Sequence, residues 1–354
     1  MTFDTAQNKP AANAEVLSPV PDPPPPIPPA EHRMAGPEPR EAGRWKRTLR
    51  LLFKYGIYGA FVLLVAGMSV ASPHFLTPVN IVNILLQTSV NGIIAVGMTL
   101  VIITAGIDLS VGSIVALSAV VAASFAHPGG YPLIVAILMG IGVGLAVGLV
   151  NGLLIAKKGL APFIVTLAMM TAARGLALVY TSGRPVINLT GSYDFIGGGS
   201  MLGIPLPVVL FALTIAAGAF LLHFTRFGRY VFAVGGNEMA ARVSGINTHR
   251  ILIAVYAITG ALSGLAGIIL SSRVMSASPA GGAGYELDAI AAVVIGGTSL
   301  FGGIGSIAGT VVGVLIIGVM NNGLDMLNVS SYWQLVAKGA IILLAVLLDR
   351  KSAA

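Results

Sequence analysis

The sequence predicts an all-α, polytopic membrane protein of about ten transmembrane helices, and three observations carry this. The 354 residues are 56% hydrophobic and only 9% charged, whereas an ordinary soluble domain is about one-quarter charged and covers its exterior with that charge. From about Tyr55 to Leu348 apolar stretches recur at lengths near the roughly 20 residues that cross a bilayer core. Runs such as ILIAVYAITGALSGLAGIIL are continuous, which excludes a transmembrane barrel of alternating strands about ten residues long.

The elements follow in order. Residues 1–54, with SPVPDPPPPIPPAEHRMAGPEPREAG, bury too little apolar surface to fold and are expected to form a disordered, proline-rich cytoplasmic tail, read as a tether. The first apolar run lies too far from Met1 for a signal peptide and is read as an anchor. Spans are expected at 55–71, 79–104, 109–126, 132–155, 160–180, 206–224, 251–271, 286–302, 305–322 and 331–348, within a membrane domain at 55–350. Arg44, Lys46, Arg47, Arg50 and Lys54 precede the first span. With ten spans Lys157, Lys158, Arg226, Arg229, Arg242, Arg250, Arg350 and Lys351 share the same side. The excess of basic residues in cytoplasmic loops then puts both termini in the cytoplasm. The longer outer loops, at 181–205 and 272–285, have mixed charge and do not test that count. The net charge of +7 thus reports topology and carries no nucleic-acid signal. Cysteine is absent, so no disulfide framework exists.

Glycine predicts how the spans pack. Gly140, Gly144, Gly148 and Gly152 recur every four residues, as do Gly305, Gly309 and Gly313, and Gly260 pairs with Gly264. Such spacing lets helix backbones approach closely, and structural packing accounts for it. The ladders of the fourth and ninth spans resemble each other with an odd offset, as in an inverted repeat. GIDLSVG at 106–112 and GTSLFGG at 297–303 share G-x-x-L-x-x-G with an even offset, so the two echoes disagree.

Polar residues inside the bundle mark a candidate pathway. Asn83, Gln87, Asn91 and Thr99 fall at multiples of four along the second span, one slowly drifting helix face. They serve either interhelical hydrogen bonds or a lumen-lining face. Gly106 is expected to end this span, and Asp108 or Ser110 to cap the next helix, a role compatible with a place beside a cavity. Ser299, in the matching motif, joins the candidate translocation set. A gradient-driven transporter would instead use carboxylates such as Asp108, Glu286, Asp288 and Asp325, but each lies near a predicted helix end. The pathway residues are therefore read as uncharged amides and hydroxyls. His74, His127, His223 and His249 have no metal-ligand spacing, and neither a catalytic constellation nor a cofactor site is expected.

The segment RFGRYVFAVGGNEMAARVSGIN, 226–247, is too polar to span. Its centre reads as a short helix with Asn237 as N-cap, Glu238 in the first turn and Gly245 as terminator. Ala240, Ala241 and Ser244 form a small-residue surface beside Met239 and Val243, suited to a partner's groove. The glutamate, the paired alanines and the glycine four residues later resemble the coupling-helix motif of ATP-binding cassette importer permeases. Over about 75–350 the chain resembles the ribose-type permeases of bacterial sugar importers, through GMTLVIITAGIDLSVGSIVALS, NGLLIAKKGLAPFIVTLAMMTAARGLALVYTSG, GRYVFAVGGNEMAARVSGI and DAIAAVVIGGTSLFGGIGSIAGTVVGVLIIGVMNNGL. The long proline-rich tail departs from that pattern.

The resemblance implies a homodimer of ten-helix subunits in the bacterial inner membrane, embedded in lipid, with a fold related to the vitamin B12 type of importer. It also implies an extracytoplasmic (periplasmic) sugar-binding protein and a cytoplasmic ATPase with two cassettes on one chain. Asn237, Glu238, Met239, Ala240, Ala241, Arg242, Ser244 and Gly245 would form the coupling helix, about 237–245, seated in that ATPase. The chain has no G-x-x-x-x-G-K-[ST] phosphate loop, so the resemblance assigns hydrolysis to the partner and a transport role, not an enzymatic one, to this chain.

Overall fold

The computed structural model describes residues 40–353. Residues 1–39 of the expected tail lie outside the described residues. Residues 40–49 belong to a separate amino-terminal unit, and the compact unit treated below begins at Arg50. The helices are α1 (Arg40–Ala71), α2 (Pro78–Ile103), α3 (Val111–Ser124), α4 (Leu133–Lys158), α5 (Pro162–Thr181), α6 (Gly191–Gly198), α7 (Leu206–Phe224), α8 (Arg226–Gly236), α9 (Glu238–Val243), α10 (Thr248–Val274), α11 (Tyr285–Ile295), α12 (Ile307–Met326) and α13 (Ser331–Ala353). A two-stranded hairpin, β1 (Ser200–Met201) with β2 (Ile204–Pro205), interrupts the otherwise helical chain. Helix α1 begins at Arg40 and so takes in the basic cluster that the sequence reading set ahead of the first span.

Every predicted span falls on a helix, but six helices among the described residues are long and apolar enough to cross a membrane: α2, α4, α5, α7, α10 and α12. Two predicted spans are shorter than expected. Helix α3 has 14 residues and α11 has 11, or roughly 21 and 16 Å at 1.5 Å per residue, against a hydrocarbon core of roughly 30 Å. The span expected at 286–302 stops at Ile295 because Gly296 and Gly297 follow, and Gly297 takes a left-handed φ of 83° that ends a helix. Helix α2 ends in the same manner, with Ala105 at φ 58° in the position expected of Gly106 and the Gly106 N–H bonded to the Val101 carbonyl. The chain therefore breaks twice inside the bundle, at 104–110 and 296–306.

Helix α10 is the axis, packed against α2, α3 and α4. Its crossing with α4 is backbone against backbone. A Cβ on Gly144 would strike the Gly260 carbonyl, one on Gly148 the Tyr256 carbonyl, and one on Gly152 the backbone of Ile253. Lipid is as apolar as any side chain, so close van der Waals contact supplies the attraction. Polar clamps add to it. Asn80 and Asn322 exchange amide hydrogen bonds of 3.0 and 2.9 Å between α2 and α12, and Thr259 donates to the Gly97 carbonyl at 3.0 Å. Helices α4, α5 and α7 expose Leu138, Ile164 and Leu213 on their outer faces.

Replacing Gly148 by leucine should destabilise the protein by about 2 kcal/mol through overpacking, read as a lower unfolding temperature of the detergent-purified chain. Gly142 on the same helix has open space around it, and leucine there should leave that temperature unchanged.

Candidate functional site

Three constellations stand out. The first is the junction of the two breaks. The Gly303 N–H donates to the Ile103 carbonyl at 2.9 Å, so the break after α2 and the break before α12 hold each other. Helix α8 closes this junction. A Cβ on Gly235 would strike the Ile103 carbonyl and come within 2.8 Å of the Gly303 nitrogen, while one on Gly302 would meet the Gly235 carbonyl at 2.6 Å. The end of the second G-x-x-L-x-x-G motif, Gly302 and Gly303, thus meets the turn just before the first, at Ile103 and Ala105. Ser299 is buried here, with its N–H on the Ile304 carbonyl and its Oγ accepting from the Phe301 N–H at 3.3 Å.

Helix α9 follows α8 after one residue. The Asn237 side chain accepts from the Ala240 N–H at 2.9 Å, the N-cap that the sequence predicts. At the other end Gly245, at φ 84°, and Ile246 return N–H groups to the Arg242 and Ala241 carbonyls, and Ser244 is the C-cap. Glu238 pairs with Arg242 at 2.8 Å and accepts from the Thr248 hydroxyl at 3.2 Å. This pair is exposed and adds little stability, about 0.3–0.5 kcal/mol for its spacing; the caps make the short helix. Met239 and Val243 are 67% and 82% exposed. The expected small-residue surface divides, because Ala241 turns inward to the core while Ala240 and Ser244 stay exposed.

The second constellation surrounds Asp108. Neither Asp108 nor Ser110 caps α3 with its side chain, although Ser110 occupies the N-cap position. Asp108 Oδ1 instead accepts both the N–H and the hydroxyl of Ser110, at 2.9 and 2.6 Å, and Asn151 of α4 donates to the Ser110 Oγ at 2.9 Å. Thr166 of α5 donates to the Ile107 carbonyl at 3.2 Å. Asp108, Ser110 and Asn151 are fully buried. The chain fixes the first break to α4 and α5, and the local capping rule gave way because the Ser110 hydroxyl is taken up by Asp108 and Asn151 instead of by the N–H groups of α3.

The third is a cavity of about 600 Å³ bounded by α2, α10, α11, α12 and α13. The expected polar stripe on α2 divides over it. Gln87 and Asn91 line it; Asn83 lies exposed nearer the start of α2, and Thr99 is buried away from it, bonded to the Thr310 hydroxyl at 2.7 Å. The walls also carry charge, contrary to the expectation of amides and hydroxyls alone. The Lys338 ammonium stands 2.9 Å from Asp288 Oδ1 and donates to its Oδ2 at 3.1 Å, and Gln334 donates to Asp325 at 2.7 Å. Asn91 donates to Asp288 at 3.4 Å. Lys338, in the run LVAKGAII of α13, was the available sequence signal, since a lone lysine inside a span needs a buried partner.

A bundle of long apolar helices with an internal polar cavity and an exposed, capped helix on the broken-helix end defines a membrane transport subunit. Residues 80–346 match the family described as branched-chain amino acid transport system / permease component, and the chain belongs to that family. It is a multi-pass membrane permease. The chain is 55% identical to the ribose import permease of Bacillus subtilis (strain 168) over 85% of this chain and 94% of the relative. It is 52% identical to the ribose import permease of Escherichia coli (strain K12), over 82% and 92%. The D-allose transport system permease of the same strain is 42% identical, over 84% and 91%. No solved structure matches the chain.

Lys338→Met leaves the Asp288 carboxylate buried without its cation and should cost about 3 kcal/mol. Thermal unfolding of the purified chain measures this, and adding Asp288→Asn to the same molecule should restore most of the loss.

Proposed function

We propose that this chain is the permease of an ATP-binding cassette importer for a monosaccharide or related polyol, driven by a partner ATPase with two cassettes. Its relatives are permeases for ribose and allose across nearly their whole length. An extracytoplasmic sugar-binding protein delivers the solute, and two copies of the chain form the working subunit. The fold is of the vitamin B12 importer type, with ten membrane helices: the six long ones together with the membrane part of α1, the half-helices α3 and α11, and α13. Lys157, Lys158, Arg226, Arg229, Arg242 and Arg250 then face the cytoplasm with both termini, in keeping with the positive-inside rule.

One observation supports the coupling role most directly: α9 is exposed, capped at both ends, and joined through α8 to the junction of both helix breaks. A rigid short helix displaced by nucleotide-driven closure of the ATPase pulls α8, and Gly235 lies against Ile103 and Gly303 with no side chain between to absorb the movement. The breaks before α3 and α12 then move together, and the route through the membrane changes its open side. Gln87 and Asn91 belong to that route; Asp108, Ser110 and Ser299 position the breaks that border it.

Glu238→Lys reverses the charge at the amino end of α9, loses both bonds of that carboxylate and opposes the helix dipole. In vesicles holding the assembled importer, this variant should lower ATP-driven sugar uptake by tenfold or more with its amount in the membrane unchanged. Uptake at the unmodified rate, or uptake by this chain alone on a proton or sodium gradient, removes the assignment.

A further inference from the structure

We propose that residues 275–284, between α10 and α11, form a strap that shuts the outer side of the cavity, and that Arg174 of α5 is the positioning residue that latches it. The proposal rests on the importer reading above for which side is outer, and adds what holds that side closed. The strap follows the end of α10 opposite α9, about 40 Å away for a helix of 27 residues. Both of its ends belong to the cavity wall, Arg273 and Val274 just before it and Tyr285 just after.

Arg174 is the only charge in the apolar run of α5, and a cation in a membrane helix is costly unless protein uses it. Its Nη1 donates to the Pro279 carbonyl at 2.9 Å and to the Gly281 carbonyl at 2.7 Å, both in the strap. The remaining ties are neutral. Val186 and Ala277 exchange backbone hydrogen bonds of 2.9 Å at the start of the strap. Near its end Gly282, at φ 69°, lies against α3, where a Cβ on Gly112 would strike the Gly282 carbonyl and the Glu286 carboxylate. Apart from Met275 and Pro279 the strap has no residue larger than serine, so it buries little apolar surface of its own and opens more readily than the helices around it. A bond from a charged donor is about twice as strong as a neutral one, which makes Arg174 the strongest single hold. The strap is also connected to the junction of the breaks. Helix α11 begins at its end and runs to Ile295 beside the second break, and α3 touches it at Gly112 just after the first. A shift of α11 therefore draws the two carbonyls away from Arg174.

The chain has no cysteine, so Val115→Cys sets a single thiol under the strap: Val115 is 0% exposed and its Cγ1 stands 2.9 Å from where a Cβ on Gly282 would be. The test measures how fast a charged, membrane-impermeant methanethiosulfonate reaches that thiol from each face of vesicles holding the assembled importer. Arg174→Met should raise the rate from the outer face about tenfold, the effect of losing one charge-assisted hydrogen bond. Arg174→Lys should stay within about threefold of the unmodified protein, because one ammonium can serve both carbonyls as the single Nη1 does. A thiol at Val255→Cys, buried on α10 away from the strap, should react no faster in either variant, whereas loosened packing would raise both sites. In vesicles loaded with ATP, Arg174→Met should lower uptake of labelled D-ribose tenfold or more, since a strap that does not shut returns the solute outward. An unchanged rate in Arg174→Met, an equal rise in Arg174→Lys, or faster labelling with full uptake overturns the proposal. Labelling needs no substrate, so it decides the latch even if the unmodified complex takes up no ribose, the result that counts against the importer reading. A rise seen only from the cytoplasmic face leaves the latch and overturns the sidedness of that reading. If Arg174→Met does not reach the membrane, Arg174→Gln takes its place with the same outcomes.

Discussion

The hydrogen bond from the Gly303 N–H to the Ile103 carbonyl is the contact on which the rest of the architecture depends. A chain inside hydrocarbon has no water to satisfy broken backbone, so an interrupted helix survives only where protein supplies the missing partners. Here each interruption supplies the other. Helix α2 ends before its partner half-helix α3, and the half-helix α11 ends before α12. The order of long and short is reversed between the two pairs, so their free ends converge on one place. Glycine at 235, 302 and 303 brings three backbones together there, closer than any side chain would allow.

That requirement also explains the burial of Asp108. A carboxylate between two apolar runs is expensive, and only one oxygen of Asp108 is used, since its Oδ2 is buried without a hydrogen-bond partner in the protein. Asp108 holds the backbone and hydroxyl of Ser110, and Ser110 is held in turn by Asn151 from α4. The side chain that first looks like a helix cap or a coupling group thus ties the first break to the helices around it. The half-helix that leads into the second break is held at its far end: α11 carries Glu286 and Asp288 in its first turn, where the helix dipole favours negative charge, and Asp288 pairs with Lys338 from α13.

These supports arrange the membrane part around a rigid centre and a softer margin. The α4 and α10 crossing is backbone on backbone and has no freedom to slide. The junction of the breaks, in contrast, connects outward through α8 to α9, which projects Met239 and Val243 away from the bundle. Helix α9 is short, exposed and capped at both ends, and it reaches the interrupted segments through α8.

Periodicity and composition alone determined the membrane class, the position of the long apolar helices and the caps of α9. These depend on local matters: the length of an apolar run, the side-chain oxygen of Asn237, the left-handed φ open to Gly245. Glycine spacing likewise announced close helix packing, and the structure decided that the ladders of α4 and α10 meet each other. Tertiary structure alone decided that the third and eighth spans are half-helices and that Asp108 bonds sideways instead of capping. It also decided that Ala241 faces inward and that Gln87 and Asn91 share a cavity with Asp288 and Lys338 while Thr99 does not. Asp288 and Lys338 lie 50 positions apart, and which polar groups meet across such a distance is settled by how helices cross, a quantity that no single run of residues contains.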